Sequence, residues 1–121
     1  MHTILVVDDD KIFGGLLKTV FELEGYQAVV VNDQEKVVPT ALQVEPALIL
    51  MDVHVSDGDT LDVLRELRTN ELLKATPVVM TSGMDRSAEC LTIGADVFIL
   101  KPFRPSELMA RLADLLPETN A

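Results

Sequence analysis

The residues best suited to chemistry are four aspartates that stand at the ends of apolar runs. Asp8, Asp9 and Asp10 directly follow the first apolar run of the chain, and Asp52 ends another. Like charges held close together raise one another's pKa, which is costly unless a cation is present. Carboxylates, main-chain carbonyls and water are the oxygen ligands that Mg²⁺ prefers. The pattern predicts a Mg²⁺ site wherever the fold brings Asp8, Asp9 and Asp52 together.

Complementary groups follow two later apolar runs. Thr81 and Ser82 end one of them with hydroxyl groups, and Lys101 follows the next with an ammonium group. A metal ion, a hydroxyl and a lysine around an aspartate can stabilise the charge that spreads over a transferring phosphoryl group. Asp52 is the natural nucleophile, because an aspartate that attacks phosphorus forms a covalent acyl phosphate. The sequence therefore predicts aspartyl phosphorylation at Asp52.

Short apolar runs alternate along the chain with longer segments of helical period, which is typical of βαβ units around a parallel sheet. We predict five strands, at residues 3–7, 27–31, 47–51, 78–81 and 97–100. Five helices are predicted at residues 11–23, 34–44, 60–67, 86–93 and 106–116. Right-handed crossovers favour the strand order 2-1-3-4-5. The predicted fold class is α/β, with a doubly wound five-stranded parallel sheet and helices on both faces.

Ligands of such sheets bind beyond the carboxyl ends of the strands, where the strand order reverses, and here that point falls between strands one and three. Each candidate residue alone has a simpler explanation. Asp10 suits a helix N-cap, Ser82 a turn and Lys101 an exposed strand end. Their occurrence at four strand ends of one predicted crevice favours the functional interpretation.

Two features of the predicted helices can be checked directly. The first helix carries Ile12, Leu16, Val20 and Leu23 on one face, and the last carries Leu108, Leu112, Leu115 and Leu116 inward. Gly14 and Gly15 each weaken the first helix by about 1 kcal/mol relative to alanine. A close approach of another backbone is the structural reason that we expect for them.

Composition bounds the remaining choices. With 121 residues, 48% of them hydrophobic, the chain suits one domain over residues 1–121 with a core of its own. The net charge of −10 disfavours direct binding to nucleic acid or anionic lipid. The first apolar run is too short to span a membrane, so we expect a soluble cytoplasmic protein. Cys90 is the only cysteine and is expected in the core.

Four segments together resemble one known family over essentially the whole chain. The segments ILVVDDD, LILMD, PVVMTSG and GADVFILKPF, in this order and spacing, are similar to the receiver domain of two-component response regulators of the chemotaxis-regulator type. The resemblance implies a flavodoxin-like fold and a signalling domain, which catalyses only its own phosphorylation and dephosphorylation. Mg²⁺ is the only cofactor implied.

The resemblance also assigns roles to single residues. It makes Asp52 the phosphoacceptor, and Ser82 and Lys101 its hydroxyl and lysine partners. It implies that Asp9, Asp52 and the main-chain carbonyl of His54 bind Mg²⁺, and that Asp8 acts through a metal-bound water. Phe98 takes the place of the aromatic switch that moves inward with Ser82 on phosphorylation. The bond between Lys101 and Pro102 is expected to be cis.

The partners that the resemblance implies are a sensor histidine kinase or phosphotransfer protein and a downstream effector protein or output domain. Phosphorylation would change the surface of helix four, strand five and helix five. An amphipathic patch on helices four and five would suit a homodimer or kinase docking. The sequence names neither the kinase nor the output.

The loop after Asp52 departs from the family's usual M-P-G-x-D-G. It lacks the proline, and Thr60 stands where the family has its final glycine.

Three other functions compete with the receiver-domain interpretation. A haloacid-dehalogenase-like phosphohydrolase would need D-x-D-x-T and a cap domain. An FMN carrier would need a phosphate loop where Asp8 to Asp10 would repel phosphate. A phosphorylation-independent binding module remains the alternative.

Overall fold

The strands of the computed structural model, which describes residues 1–119, form a five-stranded parallel sheet. They are β1 (Thr3–Val7), β2 (Gln27–Val31), β3 (Leu48–Asp52), β4 (Val78–Ser82) and β5 (Val97–Leu100). Their order is 2-1-3-4-5, which confirms the predicted fold class. Both β3 and β4 end one residue later than predicted, so Asp52 and Ser82 are strand residues. The last two residues of the predicted 1–121 domain lie outside the described part.

Five α-helices connect and follow the strands, as predicted. They are α1 (Lys11–Leu23), α2 (Val37–Val44), α3 (Leu61–Thr69), α4 (Ser87–Ile93) and α5 (Pro105–Leu112). A 3-10 turn at Gln34–Lys36 precedes α2. The predicted end of α5 at residue 116 is wrong, because Leu115 and Leu116 both donate to the carbonyl of Leu112 in a closing turn. Across residues 1–119, no helix is long and apolar enough to span a membrane.

Two apolar layers cover the sheet. Leu5 and Val7 of β1 face a layer formed by α2, α3 and α4, whereas Ile4 and Val6 face a layer formed by α1 and α5. Because both faces are covered, the strands are continuous apolar runs rather than alternating ones. Cys90 is fully buried in the first layer, as expected.

The apolar face that periodicity indicated for α1 is not the buried one. Ile12 is 87% exposed and Leu23 is 80% exposed, whereas Leu17 and Phe21 are buried. Phe13, Leu17 and Phe21 also recur at a spacing of four, so α1 has two apolar stripes. Packing on the sheet selects the stripe with the two aromatic rings.

The start of α1 agrees with one sequence expectation and corrects another. Asp10 is the N-cap, because its Oδ1 accepts hydrogen bonds from the backbone N–H groups of Ile12 and Phe13. The expected close approach of a backbone occurs at neither glycine. An added Cβ at Gly14 would instead be 3.1 Å from a side-chain atom, Val30 Cγ1 of β2, and Gly15 has open space around it and no structural explanation.

The loop after β3 folds into a short antiparallel ribbon, in which His54–Val55 pairs with Gly58–Asp59. Ser56 and Asp57 form its turn, both with positive φ (56° and 63°). A two-residue turn of this kind matches the twist of the paired strands. Gln34 Nε2 donates to the carbonyl of Val55 at 2.6 Å and ties the ribbon to the 3-10 turn.

Candidate functional site

An aspartate, a second aspartate and a lysine meet at the carboxyl ends of β1, β3 and β5. Lys101 Nζ lies 2.7 Å from Asp52 Oδ2 and 3.1 Å from Asp8 Oδ2. These three side chains come from residues 44 or more positions apart, and the parallel sheet alone brings them to one edge. The crevice lies where the strand order reverses, between β1 and β3, as the topology predicts.

Burial gives these groups unusual electrostatics. Asp8 is only 3% exposed, and this burial raises the pKa of its carboxyl group, although the N–H of Asp10 and the charge of Lys101 pull in the other direction. For Lys101, burial acts to lower the pKa, but the hydrogen bond and charge of Asp52, with the charge of Asp8, outweigh it and raise the pKa overall. Lys101 is therefore held as an ammonium between the two carboxylates.

Asp52 is fixed on both its side chain and its main chain. Its Oδ1 accepts a hydrogen bond from the N–H of His54 at 3.1 Å, while its Oδ2 contacts Lys101. Its carbonyl accepts a hydrogen bond from Thr60 Oγ1 at 2.8 Å. Thr60 is fully buried, and its role was not predicted from the sequence. One sequence feature could have indicated that role: a residue with a hydroxyl group replaces the family's final glycine just before α3.

Asp9 points away from the lysine, toward the ribbon. Its side chain is exposed, and its Oδ2 accepts a hydrogen bond from the N–H of Ser56 at 3.3 Å. Asp9 lines an open cleft of about 460 Å³ beside Asp52. The other acidic and imidazole side chains of this cleft come from the ribbon: His54, Asp57 and Asp59. The imidazole of His54 is on the exposed side of the ribbon.

The donor chemistry of this edge fits a divalent cation that retains much of its water. Two carboxylates (Asp8 and Asp52) contact one ammonium, and Asp9 adds a third carboxylate at the same edge, so the site keeps an excess of negative charge. In the described residues, no group of three His, Cys, Asp or Glu side chains is arranged to enclose a metal ion. Mg²⁺ commonly needs only one or two protein carboxylates and keeps several waters, so Asp9, Asp52 and a main-chain carbonyl suffice as donors.

The two residues expected to switch lie on β4 and β5. Ser82 is fully buried at the end of β4, and its hydroxyl accepts a hydrogen bond from the N–H of Met84 at 3.1 Å. Phe98 is partly buried on β5 and packs against the layer formed by α2, α3 and α4. The peptide bond between Lys101 and Pro102 is cis, as expected.

An aromatic ring also reaches the site, that of Phe13 in the first turn of α1. Lys101 Nζ lies 4.5 Å from the centroid of the Phe13 ring. Phe13 in turn contacts Phe103 edge to face, with ring centroids 5.5 Å apart. No local signal in the sequence connects Phe13 to Lys101, because the two are 88 positions apart.

Comparison with known proteins identifies the family. The family model for the response regulator receiver domain matches residues 4–113. The chain belongs to the response regulator receiver domain family. Among curated relatives, it is 37% identical to the transcriptional regulatory protein CpxR of Klebsiella pneumoniae, over 99% of this chain and 51% of that protein. This receiver domain spans about half the length of the curated relatives that it matches.

Solved structures support the same family and fold. The BeF3-activated N-terminal receiver domain of Klebsiella pneumoniae RstA is 26% identical, with a TM-score of 0.85 over 97% of this chain and 100% of that one. The chemotaxis response regulator CheY4 of Vibrio cholerae has a TM-score of 0.88 over 96% of this chain and 99% of that one, at 23% identity. The second similarity concerns the fold alone. The expected resemblance to a receiver domain of two-component systems is thus confirmed.

Proposed function

We propose that this receiver domain accepts a phosphoryl group on Asp52 from a phosphohistidine of a sensor histidine kinase or phosphotransfer protein. The proposal rests on one observation: the Lys101 ammonium lies 2.7 Å from Asp52 and 3.1 Å from Asp8 at the crevice. In this step a carboxylate oxygen of Asp52 bonds to phosphorus while the bond from phosphorus to the histidine nitrogen breaks. The electron pair of that bond stays on the nitrogen, and Asp52 becomes an acyl phosphate.

The other residues of the crevice stabilise the charge of the transferring group. The Lys101 ammonium, already placed beside Asp52, moves from the carboxylate to a phosphoryl oxygen. The hydroxyl of Ser82 donates a hydrogen bond to another phosphoryl oxygen. Mg²⁺, held by Asp9, Asp52 and the main-chain carbonyl of His54, with Asp8 acting through a bound water, would supply the remaining positive charge. The domain is a signalling module that catalyses only its own phosphorylation and dephosphorylation.

The proposed output is a change of surface. When Ser82 moves toward the phosphoryl group, Phe98 turns inward, and the surface formed by α4, β5 and α5 is altered. That surface would act on an effector protein or an output domain, and it would suit a homodimer. CpxR is by name a transcriptional regulator, which supports an output domain among the partners. We propose that this signalling takes place in the cytoplasm.

Intact-mass analysis after incubation with Mg²⁺ and acetyl phosphate tests the function. We expect the wild-type chain to gain one phosphoryl group, and Asp52→Asn or removal of Mg²⁺ to abolish the gain. Asp57→Asn is the matched control, because it removes a carboxylate from the same ribbon without touching the proposed ligands. This variant should be phosphorylated like the wild type.

The opposite results would reject the proposal. An adduct that persists in Asp52→Asn would place the phosphoryl group elsewhere. A wild-type chain that forms no adduct under fast quenching, and that does not bind beryllofluoride, would be a phosphorylation-independent binding module.

A further inference from the structure

We propose that Phe13 is a positioning residue for Lys101, whose aromatic face supports the ammonium before and during phosphoryl transfer. This inference rests on the proposed function of the crevice and deepens it. The starting observation is the distance of 4.5 Å between Lys101 Nζ and the centroid of the Phe13 ring. A cation within about 6 Å of a ring centroid is attracted by the negative charge of the aromatic face.

Lys101 needs such a neighbour because its ammonium group is otherwise positioned only by the carboxylates of Asp8 and Asp52. A lysine ammonium is a hydrated point charge on a flexible four-carbon stem. The side chain of Lys101 is 22% exposed, so water competes for it. Asp52 and Asp8 hold it through hydrogen bonds, and the bond to Asp52 must weaken when Asp52 becomes an acyl phosphate. Attraction to a ring face is not directional in the way a hydrogen bond is, so it persists through that change.

The ring of Phe13 is held in place independently of Lys101. The N–H of Phe13 donates to the N-cap carboxylate of Asp10 at 3.1 Å, which fixes the first turn of α1. On its other side the ring meets Phe103 edge to face, at 5.5 Å and an interplanar angle of 68°. Phe103 belongs to the loop that follows Lys101, so this loop supports the Phe13 ring from the side. The ring therefore stays where it is when Lys101 shifts.

The test replaces the ring with an aliphatic side chain of similar volume. In Phe13→Leu we expect the saturating rate of phosphorylation by acetyl phosphate to fall about threefold to tenfold, with a smaller change in the half-saturating concentration. Phe13→Trp restores an aromatic face and should restore the rate, whereas Phe13→Met fills the space without a ring and should not.

Phe21→Leu is the matched control. It removes a ring from the same helix, and its ring contacts Tyr26 at a centroid distance of 6.5 Å. Because Phe21 is fully buried, this control should lose more stability than Phe13→Leu, yet leave the phosphorylation rate unchanged. An equal fall of the rate in both variants would reduce Phe13 to a packing residue and overturn the inference.

Comparison of the variants separates this inference from the proposed function. An unchanged saturating rate in Phe13→Leu, or a rate that Phe13→Met restores as well as Phe13→Trp does, overturns the role of Phe13. A wild-type chain that forms no phosphoryl adduct overturns the proposed function, and with it the role of the ring in transfer. A fall of the rate in Phe13→Leu and Phe13→Met, with recovery in Phe13→Trp, supports the inference.

Discussion

Asp8 is the residue at which folding places a carboxylate almost out of reach of water. Its Oδ1 accepts a hydrogen bond from the N–H of Asp10, and its Oδ2 contacts Lys101. Burial is nevertheless the largest influence, and it raises the pKa of Asp8. The ionised form is therefore less favourable in the folded chain than in the unfolded one. The buried carboxylate of Asp8 therefore lowers folding stability at neutral pH.

We expect Asp8→Asn to raise the free energy of unfolding at pH 7 by about 1 kcal/mol, because the amide keeps the acceptor for Asp10 and removes the buried charge. A raised folded pKa contributes stability that is fully present below the unfolded pKa and is lost as the pH rises through the folded value. The difference in free energy of unfolding between Asp8→Asn and the wild type should therefore become smaller as the pH falls to 4. Urea unfolding of both chains at the two pH values checks this. A variant less stable than the wild type at pH 7 would mean that the ion pair with Lys101 dominates.

At the scale of elements, α1 illustrates how one helix serves both the core and the crevice. Its N-cap, Asp10, belongs to the acidic run that supplies the site, and its buried stripe of Leu17 and Phe21 anchors it to the sheet. Two adjacent glycines lie between these parts. Only Gly14 is pressed against a neighbouring strand, since the added Cβ would meet Val30.

The two glycines provide a matched pair of substitutions. Gly15→Ala should raise the free energy of unfolding by up to about 1 kcal/mol, because alanine favours the helix and meets nothing. Gly14→Ala gains the same helix preference but must displace Val30, so its gain should be smaller or reversed. Thermal unfolding followed by circular dichroism compares the two. Equal stabilisation in both variants would show that α1 and β2 can separate without cost.

At the scale of the whole molecule, the net charge of −10 determines how the domain interacts with other charged molecules. The relative CpxR is named a transcriptional regulator, and this chain covers 51% of its length. DNA contacts by such a protein depend on positive charge near phosphates. A receiver domain with this charge is repelled by DNA, so we still predict that it does not bind nucleic acid directly.

We expect this chain alone to leave the fluorescence anisotropy of a labelled DNA duplex unchanged up to about 100 μM protein in 0.15 M salt, because nonspecific binders reach half-saturation near or below that concentration. A basic DNA-binding domain of similar size is the positive control in the same buffer. Saturable binding that weakens with added salt would contradict the prediction.

Much of the fold and the site could be predicted because the signals are local. Continuous apolar runs mark strands that are covered on both faces, and the order of the sheet then follows from the handedness of the crossovers. The carboxyl ends of those strands fix which residues meet, which is why Asp8, Asp52 and Lys101 could be named together. The chain's acidic balance and its single buried cysteine were also evident without coordinates.

Only the tertiary structure decided features that depend on contacts between distant residues. Spacing indicated the wrong apolar face of α1, and packing on the sheet buried Leu17 and Phe21 instead. Arg68 shows the same limit: it donates to the carbonyls of Gly94 and Thr76 and pairs with Asp96, so it joins the loop before β4 to the loop before β5. Similarly, Lys101 bonds to Asp8 and Asp52 while Asp9 turns to the ribbon. Local sequence specifies which residues reach an edge of the sheet, but partner choice depends on distances of a few ångströms that only the packed chain defines.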